Sequence, residues 1–425
     1  MEGKGGVFMS VMYIQGGAPL EGAWRVQGAK NSVLPVLAGC LLAPQPVVIR
    51  NCPRLSDVDA AVDILQHLGA SCRWEGEELV VDAGQASGTA IDEGRMRAMR
   101  SSIMFLGPLA ARMGEATLTY PGGCELGPRP IDLHLEALRA MGCQVEEQDG
   151  TITCRGRPRG GVVTLKFPSV GATENAMLCG AGAAEDTTIV NAAREPEIVQ
   201  LQQFLNALGG EVTGAGGSVI TVRGGRPLHG GAISILGDRI VAATLLSGVA
   251  AAGGEVELQG VDWRHLSTVL QLFEQGGCRV RSAPGRIWFC RRGDIPMKSV
   301  GPVATAPYPG FPTDAQAPVM AAFATARGTT IFQETMFSRR FGHVPELREM
   351  GADISLHGQG AWVRGVKRLH GAQVSATDLR GGGALAVAAL GAQGETQLRG
   401  VEHIDRGYER LEEMFNRLGA QIQRR

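Results

Sequence analysis

The sequence predicts an α/β protein built from six copies of a β-α-β-α-β-β repeat, three in each of two similar domains. Three observations carry this expectation. A Leu/Met-Gly-small triplet recurs at Leu68-Gly69-Ala70, Met141-Gly142-Cys143, Leu208-Gly209-Gly210, Met350-Gly351-Ala352 and Leu418-Gly419-Ala420, with Gly276-Gly277-Cys278 in fourth place, about 70 residues apart each time. Each triplet follows a stretch with helical apolar spacing and precedes β-branched residues. Glycine supplies 61 of 425 residues, about twice the usual share, as many tight turns between short elements require.

The elements follow in order. Each repeat has a first helix rich in Ala, Leu and Val, expected at residues 32–42, 173–184 and 315–326 in three of the copies. A β-branched strand follows, as at 46–49 and 187–190. In the second helix Ile198, Val199, Leu201, Phe204, Leu205 and Leu208 recur at period 3.6, so one face is apolar. The triplet glycine then caps that helix, and two short strands end the repeat. Between the third and fourth repeats, Arg223-Gly224-Gly225-Arg226-Pro227-Leu228-His229-Gly230-Gly231 reads as a linker. A continuous solenoid is disfavoured by this break and by the lack of distinct capping repeats.

Hydrophobic residues at 44% and charged residues at 20% are those of a globular protein. A formal net charge of -1 excludes binding of nucleic acid or membrane through an overall field, so any anion must be met by local cations. The nine cysteines are scattered and odd in number, without a CxxC pair, which excludes a disulfide framework and any recognisable zinc motif. A reducing, cytoplasmic compartment is expected. No signal peptide is expected. The longest apolar run, residues 33–49, contains Pro35, Pro44, Gln45 and Pro46, so no membrane span is expected.

The residues that open the six first helices are Lys30-Asn31, Arg100-Ser101, Ser169-Val170-Gly171, Asp238-Arg239, Thr313-Asp314 and Asp378-Leu379-Arg380. A helix start attracts anions and disfavours cations, so the four that contain a cation want an explanation. Arg54, Arg129, Arg194, Arg264, Arg340 and Arg406 repeat the anomaly at the second helices. Taken singly, each could pair with an acid about three residues on, as Arg54 with Asp57 or Arg406 with Glu409. Taken as a set, they suit a multiply charged phosphate and carboxylate ligand.

The segment Pro121-Gly122-Gly123-Cys124-Glu125-Leu126-Gly127-Pro128-Arg129-Pro130 holds three Gly and three Pro, the composition of a loop rather than a core strand. Most cysteines are inert small hydrophobes, and the other eight are read so. Cys124 stands apart because it lies in this loop, five residues from Arg129, where a thiol can act as acid or nucleophile.

With these residues in view, the chain resembles the UDP-N-acetylglucosamine 1-carboxyvinyltransferase family from about Met9 to the C-terminus. The resemblance rests on Gly28-Ala29-Lys30-Asn31, the 121–130 loop, Asn191-Ala192-Ala193-Arg194-Glu195-Pro196-Glu197, Phe311-Pro312-Thr313-Asp314, Thr377-Asp378-Leu379-Arg380 and His403-Ile404-Asp405-Arg406-Gly407-Tyr408-Glu409. It implies two inside-out α/β domains, each with threefold internal pseudosymmetry, around a central cleft. Residues 29–235 would form the first domain, and 9–28 with 236–425 the second, with 1–8 as an N-terminal extra.

The resemblance also implies roles. Lys30 and Asn31 would hold phosphoenolpyruvate, with Arg129 and Arg406 neutralising its phosphate and carboxylate. Arg100, Arg129, Pro130, Ile131, Asp132, Leu133, Ser169, Val170, Gly171, Asp314 and Met336 would line UDP-N-acetylglucosamine. Cys124 would protonate the methylene carbon, and Asp314 would take the proton of the sugar 3-hydroxyl, with Lys30 also in the catalytic set. Arg340, Asp378 and Arg380 would be secondary participants. The activity implied is enolpyruvyl transfer by addition and elimination, the committing step of peptidoglycan precursor synthesis. It implies no cofactor and no metal; a monomer is the default expectation. Gly237, Val241, Ser338 and Phe167 depart from the family's commoner residues. Two rivals are enolpyruvyl transfer to shikimate 3-phosphate and an inactive paralogue that binds nucleotide sugar.

Overall fold

All six triplet glycines have positive φ, between +88° and +99°, a region that costs an L-residue with a side chain roughly 1–2 kcal/mol. Each forms the same helix stop. At Gly69 the backbone N–H bonds to the Gln66 carbonyl, and the next N–H, of Ala70, reaches back to Leu65. The same pair of bonds recurs at Gly142, Gly209, Gly277, Gly351 and Gly419.

The computed structural model describes residues 10–122 and 131–425. Their strands form six four-stranded sheets of one design. In the third repeat Gly161–Thr164 runs parallel to Thr187–Val190, which pairs antiparallel with Val219–Val222, itself antiparallel to Val212–Thr213. The strand order within a repeat is therefore first, second, fourth, third.

The described residues divide into two compact units, one of residues 27–122 and 131–236, the other of 10–26 and 237–425. Three sheets fall in each, and each unit has its own hydrophobic core. Long-range pairing closes both. In the 27–236 unit the first repeat takes its first strand, Gly231–Ser234, from the far end, parallel to Val47–Arg50. In the other, Leu20–Arg25 runs parallel to Gly254–Gln259, and Met12–Gln15 inserts between Glu395–Arg399 and Gln421–Arg424.

The Gly/Pro stretch 223–231 differs from its reading as a linker. It belongs to the first unit: Gly225 N–H bonds to the Ala183 carbonyl, His229 N–H to that of Leu208, and the chain then enters the Gly231–Ser234 strand. The changeover comes at Leu236-Gly237. A Cβ on Gly237 would lie 2.1 Å from the Gly260 carbonyl oxygen, so only glycine fits there.

The first helices are α1 Lys30–Gly39, α2 Leu106–Met113, α3 Val170–Ala181, α4 Arg239–Ala252, α5 Thr313–Phe323 and α6 Leu379–Gly391. The three with expected bounds, α1, α3 and α5, begin two or three residues earlier than expected, and α1 continues as a 3₁₀ turn, Cys40–Leu42. Arg100 opens a separate 3₁₀ segment, Arg100–Phe105, that leads into α2. In α4 every residue from Arg239 to Ala250 is buried, as a helix apolar on all sides must be. Small residues let these helices approach closely. A Cβ on Gly107 would meet Asn175 Oδ1 at 2.3 Å, and one on Gly248 would meet the Phe415 ring at 2.5 Å. The second helices, such as Ser56–His67, bury one face only. Within each unit these helices pack against one another.

Candidate active site

In the 27–236 unit, Lys30 is the first residue of α1, and its ammonium pairs with Asp57 at 2.7 Å. The two side chains are 12% and 3% exposed, so the pair is nearly dry. Asn31 follows it on α1, half-buried. Asp57 is thus taken by a lysine from another element. Arg54 instead lies 3.3 Å from the centre of the Trp74 ring and donates to the Gly76 carbonyl at 3.2 Å.

The start of α3 is capped by Ser169, whose Oγ accepts from Ala172 N–H at 3.4 Å, with Val170 and Gly171 in its first turn. A Cβ on Gly171 would touch the His134 ring at 3.0 Å, so backbone and imidazole are in close contact there. His134 lies on the helix Asp132–Ala140, directly after Ile131, Asp132 and Leu133. Burial, with Arg100 nearby, pushes its imidazole down to about 4. Its Nδ1 lies 3.1 Å from Asn175 Nδ2, so as a neutral ring it accepts there. Asn175 also donates to the Ile103 carbonyl and accepts from Gly107 N–H, tying α3 to α2 and to the Arg100 segment. Arg100 itself donates to the Gly122 carbonyl at 3.3 Å. The expected sugar-nucleotide residues Arg100, Ile131, Asp132, Leu133, Ser169, Val170 and Gly171 are therefore linked through His134 and Asn175, neither of which the sequence singled out. Cys124, Arg129 and Pro130 lie outside the described residues.

In the other unit, Asp314 sits in the first turn of α5. Its Oδ1 accepts from Arg340 at 2.6 Å and its Oδ2 from Arg380 at 3.1 Å. Both arginine side chains are almost wholly buried, while Asp314 keeps 27% exposure. Burial opposes the charge on Arg380, but Asp314, Tyr408 and Asp238 together outweigh it and hold the guanidinium above its ordinary range. Arg380 also lies over the Tyr408 ring, 5.6 Å from its centre. Asp378 caps α6, its Oδ1 accepting from Arg380 N–H and Gly381 N–H, both at 3.0 Å. Asp238 caps α4 in the same way, through Ile240 and Val241. Met336 lies in the turn after the strand Thr329–Gln333, held through its N–H by Glu334. Arg406 lies between the helices Val401–Ile404 and Leu411–Arg417.

The arginine series divides on inspection. Arg264 is chelated by Asp262 and 72% exposed, and Arg54 is held by its own sheet, whereas Arg340 is buried on a carboxylate. Position in the repeat alone does not place a cation in a site. Among the described residues, six of the eight cysteines are buried and two half-buried. Burial pushes the Cys72 thiol up to about 11 and that of Cys278 to about 12. No group of three or more His, Cys, Asp or Glu among the described residues is arranged to hold a metal ion.

The family model described as EPSP synthase (3-phosphoshikimate 1-carboxyvinyltransferase) matches residues 14–415. Across 418 residues, 98% of this chain and all of the relative, 45% of positions are identical to UDP-N-acetylglucosamine 1-carboxyvinyltransferase 2 of Caldanaerobacter subterraneus subsp. tengcongensis. The chain belongs to the UDP-N-acetylglucosamine 1-carboxyvinyltransferase family. The protein of that name from Zymomonas mobilis subsp. mobilis is 44% identical over 426 residues, covering 98% of this chain and 99% of the relative. Among solved structures, the enolpyruvyl transferase NikO from Streptomyces tendae superposes with a TM-score of 0.88 at 25% identity, over 98% of this chain and 99% of its own. EPSP synthase from Acinetobacter baumannii shares the fold, with a TM-score of 0.74 at 20% identity over 98% of this chain and all of its own.

Proposed function

We propose that this enzyme transfers the enolpyruvyl group of phosphoenolpyruvate to the 3-hydroxyl of UDP-N-acetylglucosamine and releases phosphate. The observation that carries the reading is the full-length identity of 44–45% to transferases of that name. The local chemistry is in keeping with it. Protonating the methylene carbon of an enol ether gives oxocarbenium character at the neighbouring carbon, the sugar oxygen adds there, and phosphate leaves as a second proton is lost. That sequence needs an acid, a base and fixed cations.

In this reading Cys124 is the acid and Asp314 the base. Lys30, Asn31, Arg129 and Arg406 hold phosphoenolpyruvate. Arg100, Arg129, Pro130, Ile131, Asp132, Leu133, Ser169, Val170, Gly171, Asp314 and Met336 hold the sugar nucleotide. The pairing of Asp314 with Arg340 and Arg380 supports the base role, because it fixes the orientation of a carboxylate that keeps 27% exposure. Asp378 supports it indirectly by capping the helix that carries Arg380. No helix among the described residues is long and apolar enough to cross a membrane. We further propose a monomer acting in the cytoplasm, at the committing step of peptidoglycan precursor synthesis.

The description of the matching family favours shikimate 3-phosphate as a second acceptor to test. Against it stand Asn31 after Lys30, where that branch typically has Ser, and the cysteine loop. Phosphate release from phosphoenolpyruvate is measured with each acceptor in parallel. Release with UDP-N-acetylglucosamine alone is expected; release with shikimate 3-phosphate alone overturns the reading, and release with neither points to an inactive paralogue.

A further inference from the structure

Glu334 is fully buried, 0% exposed, directly after the strand Thr329–Gln333. A carboxylate in that position must be held by hydrogen bonds. Its Oε1 accepts from Thr305 Oγ1 at 2.9 Å, Met336 N–H at 2.8 Å and Phe337 N–H at 3.2 Å. Its Oε2 accepts from Thr313 Oγ1 at 3.0 Å. All four donors are neutral groups, so the carboxyl group is held by directed bonds rather than by a salt bridge within this set.

Both limbs lead to the Asp314 cluster. Thr313 is the residue before Asp314, and its carbonyl accepts from Arg340 Nε at 3.4 Å and from a second nitrogen of the same guanidinium at 3.3 Å. Phe337, fixed through its N–H, places its ring 5.7 Å from the Arg340 guanidinium carbon. Met336, also held by Oε1, is the residue assigned to the sugar nucleotide. One buried carboxylate thus joins the turn that carries Met336 to the start of the helix that carries Asp314.

We propose that Glu334 is a positioning residue for the transfer reaction, fixing the Arg340–Asp314 pair through Thr313 and Phe337. The proposal rests on the reading of Asp314 as the base. Glu334 is too deep to meet substrate, so it acts on where the base oxygen sits. Displacement by about 1 Å at a reacting group can cost as much as a hundredfold in rate.

The test uses the full-length enzyme with Thr313→Val, Thr313→Ser, Glu334→Asp, the double variant Thr313→Val/Glu334→Asp, and Asp314→Asn. Each is measured for kcat, KM for UDP-N-acetylglucosamine, and Tm. Thr313→Val removes one limb without changing shape, and Glu334→Asp keeps the charge but is too short to span both limbs. Each is expected to lower kcat about tenfold while KM stays within about twofold. Thr313→Ser, which restores the hydroxyl, is expected to restore most of the rate. The double variant is expected to fall no further than the worse single one, because both act on one linkage. Wild-type kcat in Thr313→Val, additive losses in the double variant, or a loss that tracks Tm and is not rescued by Ser overturns the proposal. A fully active Asp314→Asn enzyme removes the base reading and this proposal with it. An inactive Asp314→Asn beside an unaffected Thr313→Val removes this proposal alone.

Discussion

Asp57 holds the ammonium of Lys30 at 2.7 Å, joining the first turn of the helix Ser56–His67 to the first residue of α1. The pair keeps a lysine charged at a helix start, where the macrodipole disfavours it. Removing the acid takes a charged partner from a nearly buried cation, which in comparable pairs costs about 3 kcal/mol. Asp57→Asn is therefore expected to lower Tm and to raise KM for phosphoenolpyruvate by about tenfold or more. Steady-state kinetics with phosphoenolpyruvate varied decide this, and an unchanged KM would separate Asp57 from the site.

Asp314→Asn replaces a carboxylate by an amide of the same shape with no basic lone pair. Binding of UDP-N-acetylglucosamine, followed by calorimetry, is expected to persist, while turnover falls by about two orders of magnitude or more. Arg340 and Arg380 then face a neutral group, and each loses a charged partner it has in the native protein. Activity near that of the wild type would take Asp314 out of the base role.

Acid is expected to weaken the fold through two histidines. His134 and His343 are buried, and burial is the main cause that pushes each down to about 4, against about 6.5 in an unfolded chain. Between those values the unfolded chain binds a proton that the folded chain refuses. Their contribution is complete above about pH 6.5 and is lost as pH falls towards 4, by up to about 1.4 kcal/mol per pH unit for each. Glu174 works the other way. Burial, with Glu197 and Glu195 nearby, raises its carboxyl, so its contribution is lost as pH rises above the ordinary carboxylate range. The informative quantity is accordingly the difference between His134→Gln and wild type in urea titrations from pH 7 to 4.5. The variant is expected to lose less stability than the wild type over that range, and parallel curves would contradict the assignment.

The repeats were legible because a positive-φ helix stop leaves a glycine in the sequence at every copy, from Gly69 to Gly419. Lys30, Asp314 and Arg380 were legible because charge at the start of an apolar helix is conspicuous. The partners were less so. Asp57 looked like a local mate for Arg54 three residues before it, since sequence distance hides a lysine arriving from another helix. A signal was present, for Asp57 shares its buried face with Ala61, Ile64 and Leu65, and an acid on that stripe calls for a cation. Glu334 continues the inward parity of Thr330 and Phe332, which marks it in the same way. Residues 223–231 misled because Gly and Pro announce a turn without saying which sheet the next strand joins.

Cys124 admits two roles, proton donor and covalent nucleophile, and substitutions separate them chemically. Alanine can do neither. Aspartate can donate a proton but reacts poorly with soft electrophiles, so Cys124→Asp is expected to keep measurable turnover where Cys124→Ala loses it. The family resemblance implies inactivation by the epoxide fosfomycin through alkylation of the loop cysteine, a reaction of the thiolate. The other eight cysteines are buried or half-buried, and the raised Cys72 and Cys278 thiols are poor competitors for such a reagent. The wild type is therefore expected to lose activity with a single adduct, found by mass spectrometry on the peptide that contains Cys124, while Cys124→Asp remains active in the presence of the drug. An adduct on any other cysteine, or an active Cys124→Ala enzyme, would move the acid to a different residue, because a thiol that is neither alkylated nor needed cannot be the donor to the methylene carbon.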